Sequence, residues 1–245
     1  MTHHVDFDHP ERLDGVRVAI TGGTSGLGLA LVDELIARGA RVAFVARTAE
    51  RVAEVAGRHP GAVGIVGDVA RKEDIYPIAL QIAGNLGGLD VLVNNASSLG
   101  PVPLALLADT DCEDLELALA TNVLGPFRLT KALLGSLARS SRDGRGSVVL
   151  NVTSDAAVNA YPRWGAYGAS KAALGHLSRI WDAELAAEGV RVLSLDPGDM
   201  DTPLHALAVP DDDPAALKRP ATAARELAGA IAAALARGAV AQDVR

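Results

Sequence analysis

The segment Val16-Arg17-Val18-Ala19-Ile20-Thr21-Gly22-Gly23-Thr24-Ser25-Gly26-Leu27-Gly28 runs a short apolar stretch into a cluster of glycines. Leu27–Arg38 then carries helical periodicity up to Gly39, a residue suited to the end of a helix. The segment therefore reads as strand, tight turn and helix start. Glycines let such a turn close tightly and let its backbone approach a pyrophosphate. The helix that follows adds free N–H groups and a partial positive charge. A glycine cluster alone is often a plain turn. Between a strand and a helix it predicts a phosphate cradle, with Gly22, Thr24, Ser25, Gly26, Leu27 and Gly28 as its binding residues.

Outward from this turn the same alternation continues. Arg41–Ala46, Val63–Val66, Val91–Asn94, Ser147–Val152 and Arg191–Leu195 read as further strands. Ala49–Arg58, Lys72–Leu86, one long stretch from about Asp111 to Arg139, Gly165–Glu188 and Ala221–Arg237 read as helices. Most of the strands are unbroken apolar runs, as expected where both faces of a parallel sheet are covered. The fold class is α/β: a doubly wound, Rossmann-type parallel sheet with helices on both faces. No linker divides the chain, so residues 1–245 are expected to form one domain, with 1–14 as an N-terminal extension. Residues 199–220, rich in Asp and Pro, follow a strand's C-terminal end and are expected to be irregular, a candidate substrate lid.

Composition narrows the function. The 245 residues are 49% hydrophobic but only 3% aromatic, so the core rests on aliphatic side chains. A net charge of −7 disfavours nucleic acid, and Arg139–Arg145 reads as a solvated connection. The single cysteine, Cys112, excludes an internal disulfide and a cysteine zinc cluster. His3, His4, His9, His59, His176 and His205 show no ligand spacing beyond the first pair, so no metal is expected. Met1–Gly15 lacks the apolar core of a secretory signal and no run is long enough to span a bilayer; a cytoplasmic location is expected.

The second strand ends in Ala46-Arg47-Thr48, where a carboxylate would accept the ribose 2′-hydroxyl of NAD. Here no acid stands, and Arg47 offers a planar fork of donors for a 2′-phosphate. NADP(H) is therefore expected over NAD(H), with Thr48 beside it. Further along, Tyr167-Gly168-Ala169-Ser170-Lys171 places a tyrosine and a lysine one helical turn apart on one face. Random placement yields about 0.05 such pairs in a chain of this composition, and neither Tyr76 nor Tyr161 has a lysine four residues on. A phenol titrates near 10, too high for a base at neutral pH. An adjacent ammonium and a cationic nicotinamide ring would both favour phenolate, so Lys171 is expected to lower the pKa of Tyr167.

The turn, spaced T-G-x-x-x-G-x-G, and the Y-x-x-x-K pair together resemble the short-chain dehydrogenase/reductase family in its shorter form, and the likeness runs from about Val16 to Thr202. The resemblance implies Ser154, in Asn151-Val152-Thr153-Ser154, as the residue that holds the substrate oxygen against Tyr167. It implies Asn122 as the residue that holds a water linking Lys171 to solvent. Asp68 and Val69 would meet the adenine; Asn95 and Ala96, in Asn94-Asn95-Ala96, would border the cofactor, with Ser97 where the family shows glycine. Pro197, Gly198, Met200 and Thr202 would frame the nicotinamide, while Lys171 also reaches the ribose. Candidate substrate contacts are Ser98, Leu99, Asp155, Ala156, Tyr161, Trp164, Asp199 and His205. The implied activity is hydride transfer between NADP(H) and a small carbonyl or alcohol, by a homodimer or higher homo-oligomer. The competing reading is a dinucleotide-binding sensor that has lost its chemistry.

Overall fold

The computed structural model describes residues 11–240. Six strands, β1 (Arg17–Thr21), β2 (Arg41–Ala46), β3 (Val63–Val66), β4 (Val91–Asn94), β5 (Ser147–Val152) and β6 (Val190–Leu195), form one sheet in the order β3-β2-β1-β4-β5-β6. Every pairing is parallel. The connecting helices are α1 (Gly26–Ala37), α2 (Ala49–Arg58), α3 (Lys72–Leu86), α4 (Cys112–Leu119), α5 (Gly125–Arg142), α6 (Gly165–Leu185), α7 (Pro203–Ala208) and α8 (Pro220–Val240).

Side chains alternate across each strand. Val18, Ile20 and Phe44 enter one core with Leu31 and Leu35 of α1 and Leu227 and Ile231 of α8. Ala19, Val45 and Leu92 enter the other with Ile78 and Ile82 of α3 and Leu129 and Leu133 of α5. Burial on both faces is why these strands lack polar alternation. The chain winds outward from β1 to β3, then returns to β4. The strand order reverses between β1 and β4, which opens a crevice at their C-terminal ends.

Several expectations need correction. The long helix from Asp111 is interrupted by a π-helical turn over Ala120–Leu124, where the Gly125 N–H bonds Ala120 O, five residues back. Pro126 lacks an N–H to continue the ladder to Asn122, and Asn122 itself is fully buried. Residues 199–220 are more ordered than their composition suggests. Thr202 caps α7 by accepting from the His205 N–H, and a 3-10 turn follows at Pro214–Ala216. The base of the segment is closed by a bridge between Met200 and Lys218. The helix from Gly165 ends at Leu185, with a 3-10 turn over Ala186–Glu188. Within the expected N-terminal extension, Leu13 is buried and its N–H bonds Arg38 O. Residues 1–10, including His3, His4 and His9, and the tail 241–245 lie outside the described residues.

The Arg139–Arg145 segment is not a solvated loop either. Through Arg142 it is helix, and Arg145 turns back onto Asp90 at the head of β4. Arg17 grips the same carboxylate from β1, and Ser140 of α5 donates to it. Asp90 is 1% exposed. Burial pushes its carboxyl up, but the hydrogen bonds from Arg17, Arg145 and Ser140 outweigh this and hold it far below the usual carboxylate range. A carboxylate with a depressed pKa contributes stability that is present above its unfolded value of 3.8 and is lost as the pH falls through the folded value. Asp90→Ala leaves Arg17 and Arg145 unpaired beside a buried gap. It should cost about 3 to 5 kcal/mol in urea unfolding at neutral pH, and the difference from the parent chain should shrink as the solution is acidified below about pH 4.

Candidate active site

A cavity of about 560 Å³ lies over the C-terminal ends of β1, β4 and β5. The glycine turn forms one wall. Gly22 has φ +72°, and a Cβ on Gly28 would stand 2.1 Å from Gly22 O. Only glycine permits this approach of the first turn of α1 to the strand end. Ser25 occupies the N-cap of α1 without a side-chain capping bond, so the helix presents uncapped N–H groups to the cavity beside Thr24, Gly26 and Leu27. Asn95 builds this wall rather than only bordering it: its amide nitrogen donates to Thr21 O at 2.9 Å. Thr21 Oγ1 in turn accepts from the Asn95 and Ala96 N–H groups, each at 3.0 Å.

At the β2 end, Arg47 and Thr48 line the same cavity, joined by Arg51 one turn further on. Neither arginine has an ion pair or side-chain hydrogen bond among the described residues. Two unpaired guanidinium groups and an uncapped helix N-terminus suit a phosphorylated dinucleotide. Asp68 and Val69 also line the cavity. One Asp68 oxygen accepts from the Ala70 N–H, so this carboxylate also secures the turn it sits on.

The catalytic candidates meet at the other end. Tyr167 and Lys171 lie on the buried side of α6, and Ser154 follows β5. Lys171 Nζ donates to Val152 O at 2.8 Å and sits 5.5 Å from the centre of the Tyr167 ring. Burial alone lowers the Lys171 ammonium to about 8. Burial also raises the Tyr167 phenol to about 12; hydrogen bonds from Ser154 and Ser97 oppose the shift, and the carboxylates of Asp196 and Asp155 add to it. The expected lowering of Tyr167 by Lys171 is thus not what the chain by itself produces. Desolvation of a buried phenol is the larger effect.

Asn122 is placed by the π-helical turn where α-helix would have turned it away. Its Oδ1 accepts from the Ser98 N–H at 2.8 Å and from Ser97 Oγ at 3.2 Å. Its Nδ2 donates to Ser98 O at 2.7 Å and to Ser170 Oγ at 2.8 Å. Ser170 then donates to Tyr167 O at 2.6 Å. Asn122 therefore joins the loop after β4 to α6; it does not touch Lys171 directly.

Around the phenol lies an apolar sleeve. Leu99 and Ala156 pack on Tyr167, with Leu104, Trp164, Leu204 and Ala208 around them. The Trp164 ring meets Tyr167 edge-on at 5.6 Å. Leu204 and Ala208 belong to α7, so the 199–220 segment lies down against the cluster that contains Tyr167. Tyr161 meets this end through its hydroxyl, which donates to Asp155 Oδ2 at 2.6 Å. Asp199 and His205 line this end, with His205 Nε2 at 2.8 Å from Asp212. Pro197, Gly198, Met200 and Thr202 close the side facing the glycine turn, where a Cβ on Gly26 would come within 3.3 Å of Thr202.

Sequence reasoning missed Arg51, Asp196 and Ser97 as site residues. Arg51 stands four residues after Arg47 at the start of a helix, a signal that was available. Asp196 precedes the Pro-Gly turn and accepts from the Gly198 N–H. Only the packing of the loop against α6 brings Ser97 to the phenol.

Fold and cavity define a dinucleotide-binding α/β protein. The family model described as short chain dehydrogenase matches residues 17–213, and the chain belongs to that family. A curated relative, 2-(R)-hydroxypropyl-CoM dehydrogenase of Xanthobacter autotrophicus, is 34% identical over 77% of this chain and 76% of its own. A short-chain dehydrogenase of Burkholderia cenocepacia, solved in complex with NADP, is similar with a TM-score of 0.79 and 27% identity, over 90% of this chain and 92% of its own. A 3-ketoacyl-(acyl-carrier-protein) reductase of Brucella melitensis, solved with NADH, is similar with a TM-score of 0.81 and 27% identity, over 88% and 90%. The chain is thus an oxidoreductase of a family that uses nicotinamide dinucleotides. Among the described residues no helix is long and apolar enough to cross a membrane.

Burying an ammonium has a cost that can be measured. Lys171 is protonated in both folded and unfolded chains below about pH 8, so its desolvation penalty is present in full there. Between about 8 and its ordinary value of 10.5 only the unfolded chain holds the proton, and the penalty fades as pH rises. Lys171→Met should therefore be more stable than the parent by about 1 to 3 kcal/mol at neutral pH. Urea midpoints should converge as the pH is raised across that window.

Proposed function

We propose that this chain transfers a hydride between NADP(H) and the carbonyl or carbinol carbon of a small molecule, with Tyr167 as the acid/base. The reading rests on the convergence of Ser154, Tyr167 and Lys171 at the end of a cavity whose other end carries the glycine turn. When bound, the dinucleotide supplies or accepts the hydride. The chain's own groups handle the proton and the geometry. Tyr167 holds its proton across the neutral range, which poises it to donate to a carbonyl oxygen as charge develops there. Ser154 fixes that oxygen. An ammonium at Lys171 favours the phenolate left behind, and its position suits the ribose hydroxyls. Leu99, Trp164, Leu204 and Ala208 exclude water from the phenol, which strengthens each of these interactions. A sensor without chemistry would gain nothing from keeping a lysine in a fully buried position at a stability cost.

NADP(H) is favoured over NAD(H) because Arg47 and Arg51 are unpaired at the β2 end and no carboxylate stands at the end of β2. The segment 199–220 acts as the substrate lid, and the whole chain works as one domain. Exposed Leu117, Leu124, Phe127 and Ile180 on the α4–α5 and α6 surfaces support pairing of two copies through these helices.

Two substitutions test this reading. Tyr167→Phe removes the proton donor but keeps the ring packing. Turnover, followed by nicotinamide absorbance over a panel of ketones and aldehydes, should fall at least a thousandfold while NADPH affinity stays within about threefold. Retained turnover would remove Tyr167 from the chemistry. Arg47→Asp should cut kcat/KM for NADPH by about a hundredfold and leave that for NADH little changed. An equal loss with both cofactors would show that Arg47 does not read the phosphate.

A further inference from the structure

We propose that Asp155, held by Tyr161, is a specificity-determining residue that binds a hydroxyl on the carbon next to the reacting one, so that the substrate class is an α-hydroxy ketone or its vicinal diol. This rests on the reading of Ser154 and Tyr167 given above and goes beyond it.

Asp155 directly follows Ser154, and the Ser154 hydroxyl lies 3.2 Å from Asp155 Oδ1. The other carboxylate oxygen is fixed by Tyr161 at 2.6 Å. Asp155 thus stands at the site with one oxygen anchored and the other beside the hydroxyl that must hold the substrate. In the free chain the Ser154 hydroxyl is shared between that oxygen and the Tyr167 phenol. Once Ser154 turns its hydrogen toward a substrate carbonyl, Asp155 loses that donor and keeps those from Tyr161, the Ala156 N–H and Asn159. A substrate hydroxyl on the neighbouring carbon replaces the lost donor, because the spacing of Ser154 Oγ and Asp155 Oδ1 suits two oxygens on adjacent carbons. A simple ketone leaves that position of the exposed carboxylate to solvent. A carboxylate in that position would meet Asp155 as a like charge.

The ionisation states fit this role. The hydrogen bond from Tyr161 holds the Asp155 carboxyl below its ordinary range, and the same bond holds the Tyr161 phenol above its own. Asp155 is therefore an anionic acceptor and Tyr161 a neutral donor through the neutral range. The surroundings reinforce the discrimination. Asp196, Asp199 and Asp212 line the same end of the cavity, whereas its arginines, Arg47 and Arg51, stand at the β2 end. The apolar sleeve around Tyr167 leaves room for a hydrocarbon body behind the two oxygens.

The test uses three carbonyl compounds with one aromatic body: 2-hydroxyacetophenone, acetophenone and phenylglyoxylate. Each is reduced with NADPH by the full chain and by Asp155→Asn, Asp155→Ala and Tyr161→Phe. The readout is the ratio of kcat/KM for 2-hydroxyacetophenone to that for acetophenone, which cancels any general loss of activity or folded fraction. A hydrogen bond to a charged acceptor predicts that this ratio falls about tenfold in Asp155→Ala. It should fall by less in Tyr161→Phe, which keeps the carboxylate but frees it to move. Asp155→Asn should raise phenylglyoxylate relative to acetophenone, because the like charge is gone. An unchanged ratio in both Asp155 variants, with turnover present, overturns the assignment of Asp155 and leaves the oxidoreductase reading intact. No turnover by the parent chain of any of the three, with NADPH bound, overturns both.

Discussion

The buried amide of Asn122 is the contact on which the geometry of the site depends. It closes two hydrogen bonds with the Ser98 backbone and a third with Ser170, and so ties the loop after β4 to helix α6. Ser170 passes the constraint to the Tyr167 carbonyl. The phenol, the lysine one turn on and the loop wall are thereby set against one another by a single side chain with no exposed surface. An amide buried in this way must be fully partnered, since each unmet group costs about 1 to 3 kcal/mol. The π-helical turn is what makes that partnering available. One extra residue in the turn rotates Asn122 inward, and Pro126 removes the N–H that would have pulled the backbone back into α-helical register.

The sheet supplies a second layer of the same logic. Asn94 at the end of β4 donates to Asn151 of β5, and Asn151 donates to Ser178 of α6. Thr21 of β1 accepts from the two N–H groups after β4. Polar side chains appear on these otherwise aliphatic strands where the strands end and their connections must be aimed. At the opposite, N-terminal end of the strands, Asp90 does the equivalent work, gathering β1, α5 and the entry to β5 through Arg17, Ser140 and Arg145. The aliphatic interior holds the layers together without direction, whereas these few polar networks determine where the loops go.

That division explains what could be read in advance. Strands and most helices follow from local periodicity, and their ends fall within a residue or two of expectation at β2, β3, β4, β5, α2 and α3. The glycine turn and the Tyr167–Lys171 pair could be placed on the cavity because each is a local pattern on a predicted element, whereas Ser154 was placed only by the family resemblance. Asn122 was pointed to by the resemblance; the π-turn that accommodates it goes with contacts to Ser98 and Ser170, far away in sequence. The order within 199–220 was hidden for a similar reason. Its composition is that of a loop, yet Met200 meets Lys218 and α7 packs Leu204 and Ala208 against the cluster of Leu99, Ala156 and Tyr167. Arg145 was misread because its partner, Asp90, belongs to another strand. Tertiary pairing, not local preference, decided each of these.

The same burial that assembles the site also sets its electrostatics, against the simple expectation that a lysine beside a tyrosine must acidify it. Desolvation moves the two groups in opposite directions, the phenol up to about 12 and the ammonium down to about 8. Both shifts favour the uncharged forms, so the pair resists charge separation until something in the cavity stabilises it. Lys171 is already bonded to Val152 O, and Tyr167 is flanked by Ser154 and Ser97. The hydroxyls act on the phenol directly, while the ammonium acts across the width of the ring. Under the proposed function, a site arranged in this way keeps its proton on Tyr167 while it waits and releases it when the oxygen of a bound substrate becomes the stronger base. On the same proposal the pairing of Ser154 with Asp155 belongs to that waiting state as well, because a serine hydroxyl turned toward a neighbouring carboxylate must be drawn away by the substrate before it can hold the reacting oxygen.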